Sequence, residues 1–183
     1  MKTWIRITLA AAGAGAVAGI AVAAASASRS TVRTVPQLDL RRYTGRWYEI
    51  ARFPNRFQRA CESDVTATYT LRSDGRITVV NECRTGEGKT KKATGSARLA
   101  DDRGPASELR VTFFWPFFGD YWVIGLDPEY RWAVVGAPDR DYLWILSREP
   151  RMADHDYRTA VQQADAEGFD TGKLVLTRQN AAI

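Results

Sequence analysis

The chain has 183 residues, 45% of them hydrophobic and 26% charged, with a formal net charge of +5. That length suits one domain able to bury a core, and the balance of apolar and charged residues excludes a disordered chain. The charge is mild and no recognition motif accompanies it, so a nucleic-acid partner is not expected.

At the N-terminus, Lys2 and Arg6 precede an uncharged run from Ile7 to Ala27, rich in Ala, Gly and Val and ending Ala25-Ser26-Ala27. Residues 1–27 read as a secretory signal peptide with a small-residue cleavage site before Ser28. The alternative is a retained membrane anchor, because the run approaches spanning length. Cleavage removes Lys2 and Arg6 and no acid, leaving +3. Residues 28–35 are expected to be a flexible segment, and 36–183 the domain proper. Arg29, Arg33, Arg41, Arg42, Arg46, Arg52, Arg56 and Arg59 stand against only Asp39 and Glu49 in this region. Such an edge suits anionic headgroups or is an ordinary solvated surface.

From Arg46 onward the chain reads as eight short strands separated by turn chemistry, at about 47–53, 64–72, 76–84, 91–99, 107–114, 120–126, 131–137 and 141–147. The punctuation is Pro54-Asn55, Ser73-Asp74-Gly75, Gly86-Glu87-Gly88, Asp101 to Pro105, Pro116 with Gly119, Asp127-Pro128, and Pro138-Asp139. Val65, Ala67, Tyr69 and Leu71 alternate with Thr66, Thr68 and Thr70, so that strand has one wet face. Two cysteines in an exported chain favour a disulfide between Cys61 and Cys83. If Leu71 faces Ile77, ideal pairing puts Cys83 opposite Val65, so the bridge requires residues 61–64 to bend back.

Later strands such as 121–126 and 142–146 are apolar on both faces and need an outer cover. One helix, about Asp154 to Glu167, supplies it: Ala153, Tyr157, Ala160, Val161 and Ala164 recur at helical spacing. Asp154 is expected to cap its start and Gly168 to close its end. Phe169 and Leu174-Val175-Leu176 then return the chain to the sheet.

Catalytic signals are weak. His155 is the only histidine and sits on the helix as a surface or capping side chain, while Asp101-Asp102 and Asp139/Asp141 fall in turns. No nucleophile motif, phosphate loop or metal spacing is present, so neither metal nor cofactor is expected and the chain does not read as an enzyme.

Gly45-Arg46-Trp47-Tyr48-Glu49-Ile50-Ala51-Arg52-Phe53, Asp64-Val65-Thr66-Ala67-Thr68-Tyr69, Phe117-Phe118-Gly119-Asp120-Tyr121 and Asp139 through Arg148 together resemble the lipocalin family. The likeness is to the bacterial outer-membrane group related to apolipoprotein D and plant temperature-induced lipocalins, and it covers residues 36–178. It implies an all-β fold, an eight-stranded antiparallel up-and-down β-barrel with a C-terminal α-helix packed outside. It further implies binding of a fatty acid or lysophospholipid; lipocalins are among the barrels that hold one small ligand. Gly45, Trp47 and Arg148 match the base-sealing signature, in which the guanidinium lies across the indole. Trp144 matches a position that faces the ligand.

Three features depart from the family. No lipidated Cys follows the signal, so the protein is expected in the periplasm, cell envelope or extracellular space without a lipoprotein anchor. The middle motif survives only as Leu126-Asp127-Pro128-Glu129-Tyr130, and Phe118 replaces a Tyr found in close relatives. With Trp47 and Arg148 at the closed end, the connections at 54–63, 85–90, 115–119 and 138–140 ring an open mouth. Phe113-Phe114-Trp115-Pro116-Phe117-Phe118 gathers five aromatics there, either packing the barrel top or a dimer contact, or touching acyl chains or a membrane beside Arg52, Arg56 and Arg59. The expected ligand-binding residues are Phe53, Tyr69, Phe113, Trp115, Phe118, Tyr142 and Trp144, and a homodimer through the rim is compatible with them. The competing functions are a lipid isomerase that uses a barrel thiol and an envelope adaptor that binds protein.

Overall fold

Apolar residues spaced two apart along each strand force one face of a long antiparallel sheet inward, and here the sheet closes on itself. In a computed structural model, which describes residues 31–180, the strands are β1 (Gly45–Arg52), β2 (Ser63–Leu71), β3 (Ile77–Arg84) and β4 (Thr90–Leu99). They continue as β5 (Glu108–Phe114), β6 (Phe117–Leu126), β7 (Trp132–Gly136) and β8 (Leu143–Ser147). Each pairs antiparallel with its neighbour, and β1 pairs with both β8 and β2, which closes an eight-stranded barrel. The signal peptide expected over 1–27, and residues 28–30, lie outside the described residues.

Helix α2 (Asp154–Ala166) packs on the outer face of β6, β7 and β8. Ala160 and Ala164 meet Ile124, Val134 and Ile145 there, giving the doubly apolar strands their cover. Ala153, not Asp154, occupies the cap position and makes no side-chain bond, so Asp154 begins the helix as a first-turn acid. Gly168 ends it at φ 80°. Beyond it, β9 (Val175–Leu176) pairs with β1.

Several expectations need correction. The fifth hairpin turns at Trp115-Pro116, with Phe114 paired to Phe117, so β6 starts three residues earlier than expected. Gly119 therefore sits in the strand opposite Val111, and its lack of a side chain serves the interior rather than a turn. The segment from residue 31, expected to be flexible, is held: Val32 is buried beside α2, and Val35 bonds to Val123 and Ser107. A short helix α1 (Leu40–Tyr43), capped by Asp39, was not legible as a helix and crosses the narrow end.

The Cys61–Cys83 disulfide forms across Cα atoms 5.6 Å apart. Leu71 faces Ile77 as expected, but a bulge between Ser63 and Thr66 brings Ser63 opposite Arg84. Glu62 N then donates to Arg84 O, and Cys61 N to Gln58 O, which is the bend the bridge requires.

Candidate functional site

The narrow end is a seal built from the chain's own polar groups. Trp47 is fully buried, and its Nε1 donates to the Tyr43 carbonyl at 2.9 Å. The Arg148 guanidinium lies 3.8 Å from the indole centre. Its Nη1 and Nη2 donate to the carbonyls of Arg46 (2.9 Å) and Arg42 (2.7 Å), so one side chain ties α1 to β1 and β8. At Gly45, whose φ is 94°, an added Cβ would come within 3.2 Å of that guanidinium.

Above the seal, Tyr43, Tyr69 and Tyr121 converge inside the barrel. The Tyr121 hydroxyl lies 2.8 Å from that of Tyr43 and 2.9 Å from that of Tyr69. Burial pushes the Tyr69 phenol up to about 12 and drives Tyr43 and Tyr121 well above the usual tyrosine range. Ile77, Val79, Ala97, Leu109 and Val111 pack around these rings and leave a cavity of about 10 Å³, roughly the size of one water. This is a floor, and an acyl chain does not pass it.

One row higher the interior changes character. Cross-strand partners share a face, so Ala67, Asn81 and Ala93 point inward like Tyr69, Val79 and Gly95 beside them. Yet Ala93 is exposed, and Ala67, Asn81 and Gly95 are only half-buried. Inward-facing residues that meet solvent define an open cup. Small side chains make the room: Ala67, Ala93 and Gly119 line its walls, and at Gly119 an added Cβ would meet nothing within 4 Å, whereas Gly95 lets the Thr112 carbonyl and the Phe113 ring close in. From the Val79 row to the top of β3 is five residues, about 17 Å of strand, or roughly 13 Å of depth after the tilt usual in barrels.

The wall near β1 is polar, and its buried carboxylate is held by three donors. Glu49 is 3% exposed, and its carboxylate takes bonds from Arg52 Nη1 (2.9 Å), Gln58 Nε2 (2.6 Å) and Thr177 Oγ1 (2.5 Å). Gln58 Oε1 accepts from Trp144 Nε1 at 3.0 Å, which leaves the indole face apolar. Tyr142 stacks on Trp144 at 5.9 Å and meets Phe57 at 6.0 Å, an aromatic ladder climbing to the rim. Residues 175–180 complete this wall where β1 and β2 part: Thr177 N bonds to Ile50 O, and Gln179 Nε2 bridges the carbonyls of Glu49 and Val65.

Of the expected ligand residues, Trp144 pairs with Arg52 on the inner face, Tyr69 stands in the floor, and the Phe113 ring lies against Gly95. Phe53 and Phe118 are placed elsewhere. A bulge between Glu49 and Ala51 turns Phe53 outward onto Phe169, and Phe118 lies on the outer face beneath Arg98 and Arg110. Trp115 stands at the hairpin tip, 82% exposed. Sequence reasoning missed Glu49, Gln58 and Thr177 as wall residues; only Glu49 carried a signal, as a charge in phase with Trp47. A separate groove of about 370 Å³ runs along the rim by Phe53, Pro54, Arg140, Asp141 and Lys173.

Residues 38–179 match the family model for a lipocalin-like domain. The chain is 44% identical over 159 residues to temperature-induced lipocalin-1 of Arabidopsis thaliana, covering 83% of this chain and 85% of that relative. It is 47% identical over 152 residues to outer membrane lipoprotein Blc of Citrobacter freundii, covering 82% and 85%. Among solved structures it is similar to apocrustacyanin C1, with a TM-score of 0.68 at 18% identity over 79% of this chain and 81% of that one, a likeness of fold.

Proposed function

The chain belongs to the lipocalin family, whose members bind small hydrophobic ligands, and we propose that its cup takes the acyl chain of one fatty acid or lysophospholipid in the cell envelope. The observation that carries this reading is the set of inward yet solvent-accessible small residues, Ala67, Ala93 and Gly119, above a closed floor. Trp144, Tyr142 and Phe113 supply the apolar surface, with Tyr69 below, and a disulfide fits an exported chain.

Burying about ten methylenes at about 0.8 kcal/mol each contributes roughly 8 kcal/mol, the free energy of micromolar affinity before ordering costs. The Glu49–Arg52 pair keeps the wall neutral, so a headgroup stays at the mouth, where the rim meets membrane or solvent. The isomerase alternative calls for a barrel thiol, and both cysteines are joined in the disulfide. The test is Trp144→Arg, which removes the indole and sets a second guanidinium beside Arg52 on the inner face. Loss of fluorescent fatty-acid binding with the fold retained is expected; unchanged affinity removes Trp144 from the site.

A further inference from the structure

The hairpin joining β5 and β6 carries three large aromatics on its tip that are left bare: Phe114 and Trp115 are 82% exposed and Phe117 is 77% exposed. These three are the barest rings among the described residues and lie side by side at the mouth, a contiguous apolar surface built to meet something. The outer face just below the tip holds the complement. Arg98 and Arg110 are direct cross-strand partners, an arrangement of like charges that disfavours the sheet. Both guanidinium groups lie over the Phe118 ring, at 5.1 and 5.6 Å from its centre. Asp120 faces Arg110 at 3.8 Å and offsets one charge; Arg98 has no acidic partner within 4 Å among the described residues. Across the mouth, Phe57 is also exposed with Arg56 against its ring, and Arg56, Arg59 and Lys91 likewise lack acidic partners among the described residues.

We propose that this hairpin is an interfacial membrane anchor: Phe114, Trp115 and Phe117 enter the acyl boundary of an anionic leaflet while Arg98 and Arg110 meet its phosphates. The spacing fits. Arg110 and its neighbour Arg98 sit level with Asp120, three residues or about 10 Å along β6 from Phe117, and interfacial elements bury their apolar side by roughly 5–10 Å. Rings at that depth bring the paired guanidinium groups to headgroup level, where a phosphate relieves their mutual repulsion. The partner is therefore a bilayer rather than a second protein: a convex tip with a cationic collar matches lipid, whereas a protein partner calls for a flatter, larger face. The anchor rests on the ligand reading in one respect only, that it sets the cup against the leaflet from which an acyl chain is drawn.

The experiment uses the full mature chain in flotation with vesicles of phosphatidylcholine containing about 30% phosphatidylglycerol, and with pure phosphatidylcholine, at about 0.1 M salt. The wild type is expected to float with the anionic vesicles. Phe114→Ser/Phe117→Ser is expected to lose partitioning by about tenfold or more on both compositions, and Arg98→Gln/Arg110→Gln to lose only the preference for phosphatidylglycerol. In buffer without vesicles, both variants should take up a fluorescent fatty acid as the wild type does. Vesicle binding without fatty-acid uptake in the wild type ends the ligand reading and leaves the anchor standing. Wild-type partitioning by Phe114→Ser/Phe117→Ser overturns the anchor. So does a wild type that ignores vesicles but sediments as a dimer that the same substitutions dissociate.

Discussion

Removing the Arg148 side chain tests whether one residue seals the barrel. In Arg148→Ala the indole of Trp47 loses a cation at 3.8 Å, a contact of about 0.5–2 kcal/mol. The carbonyls of Arg46 and Arg42 also lose charge-assisted donors at 2.9 and 2.7 Å. Hydrogen bonds to charged groups contribute about 1.5–3 kcal/mol each, but Arg148 is only half-buried and water can replace it at the carbonyls, so about 1 kcal/mol apiece is retained as net. The sum is about 3 kcal/mol, or a fall in Tm of roughly 6–12 °C for a chain of this size. Urea denaturation followed by tryptophan fluorescence reads this directly, with Arg148→Lys as the partner variant. Lysine keeps the charge but cannot span both carbonyls, so it should recover less than half of the loss. A loss below about 1 kcal/mol, or equal behaviour of the Ala and Lys variants at full loss, would refute the shared role of ring and carbonyls.

Further outcomes follow from the same geometry. The Cys61–Cys83 bridge spans 22 residues, so Cys61→Ser/Cys83→Ser should cost about 3 kcal/mol by loop closure; a denaturation midpoint matching the oxidised wild type contradicts that. Tyr69 is neutral in the fold up to about pH 12 but ionises near 10 when unfolded, so its stabilisation is complete below pH 10 and drains away as pH rises toward 12. Stability should fall in that window by about 1.4 kcal/mol per pH unit from Tyr69 alone, and Tyr69→Phe should flatten the slope by that amount in alkaline urea titrations.

Much of the barrel was readable because alternation survives in most strands, as in Val65 to Leu71, and because Trp47 and Arg148 name their own contact. What escaped reading depends on single-residue offsets. The bulge in β1 reverses Phe53 from inside to outside, yet nothing in Glu49-Ile50-Ala51 marks an extra residue. Pro116 and Gly119 both suggested a long turn; the chain instead reverses within Trp115-Pro116, which carries Phe118 to the outer face under two arginines. The wall cluster was hidden for another reason. Glu49, Gln58 and Thr177 are far apart in sequence, and only closure of the barrel and return of the C-terminal segment bring them together. Helix α1 has four residues, too few for a periodic pattern.

The central claim is that the upper half of the barrel is an open cup able to take an acyl chain, and Ala93→Trp addresses it most directly. Ala93 faces inward and is solvent-accessible, so an indole there fills the hollow without disturbing the packed floor. Titration of delipidated protein with a fluorescent fatty acid should show one site per wild-type chain and loss of that site in Ala93→Trp, with Tm unchanged. Equal uptake by the two proteins, or a wild type that takes up no acyl probe, contradicts the account.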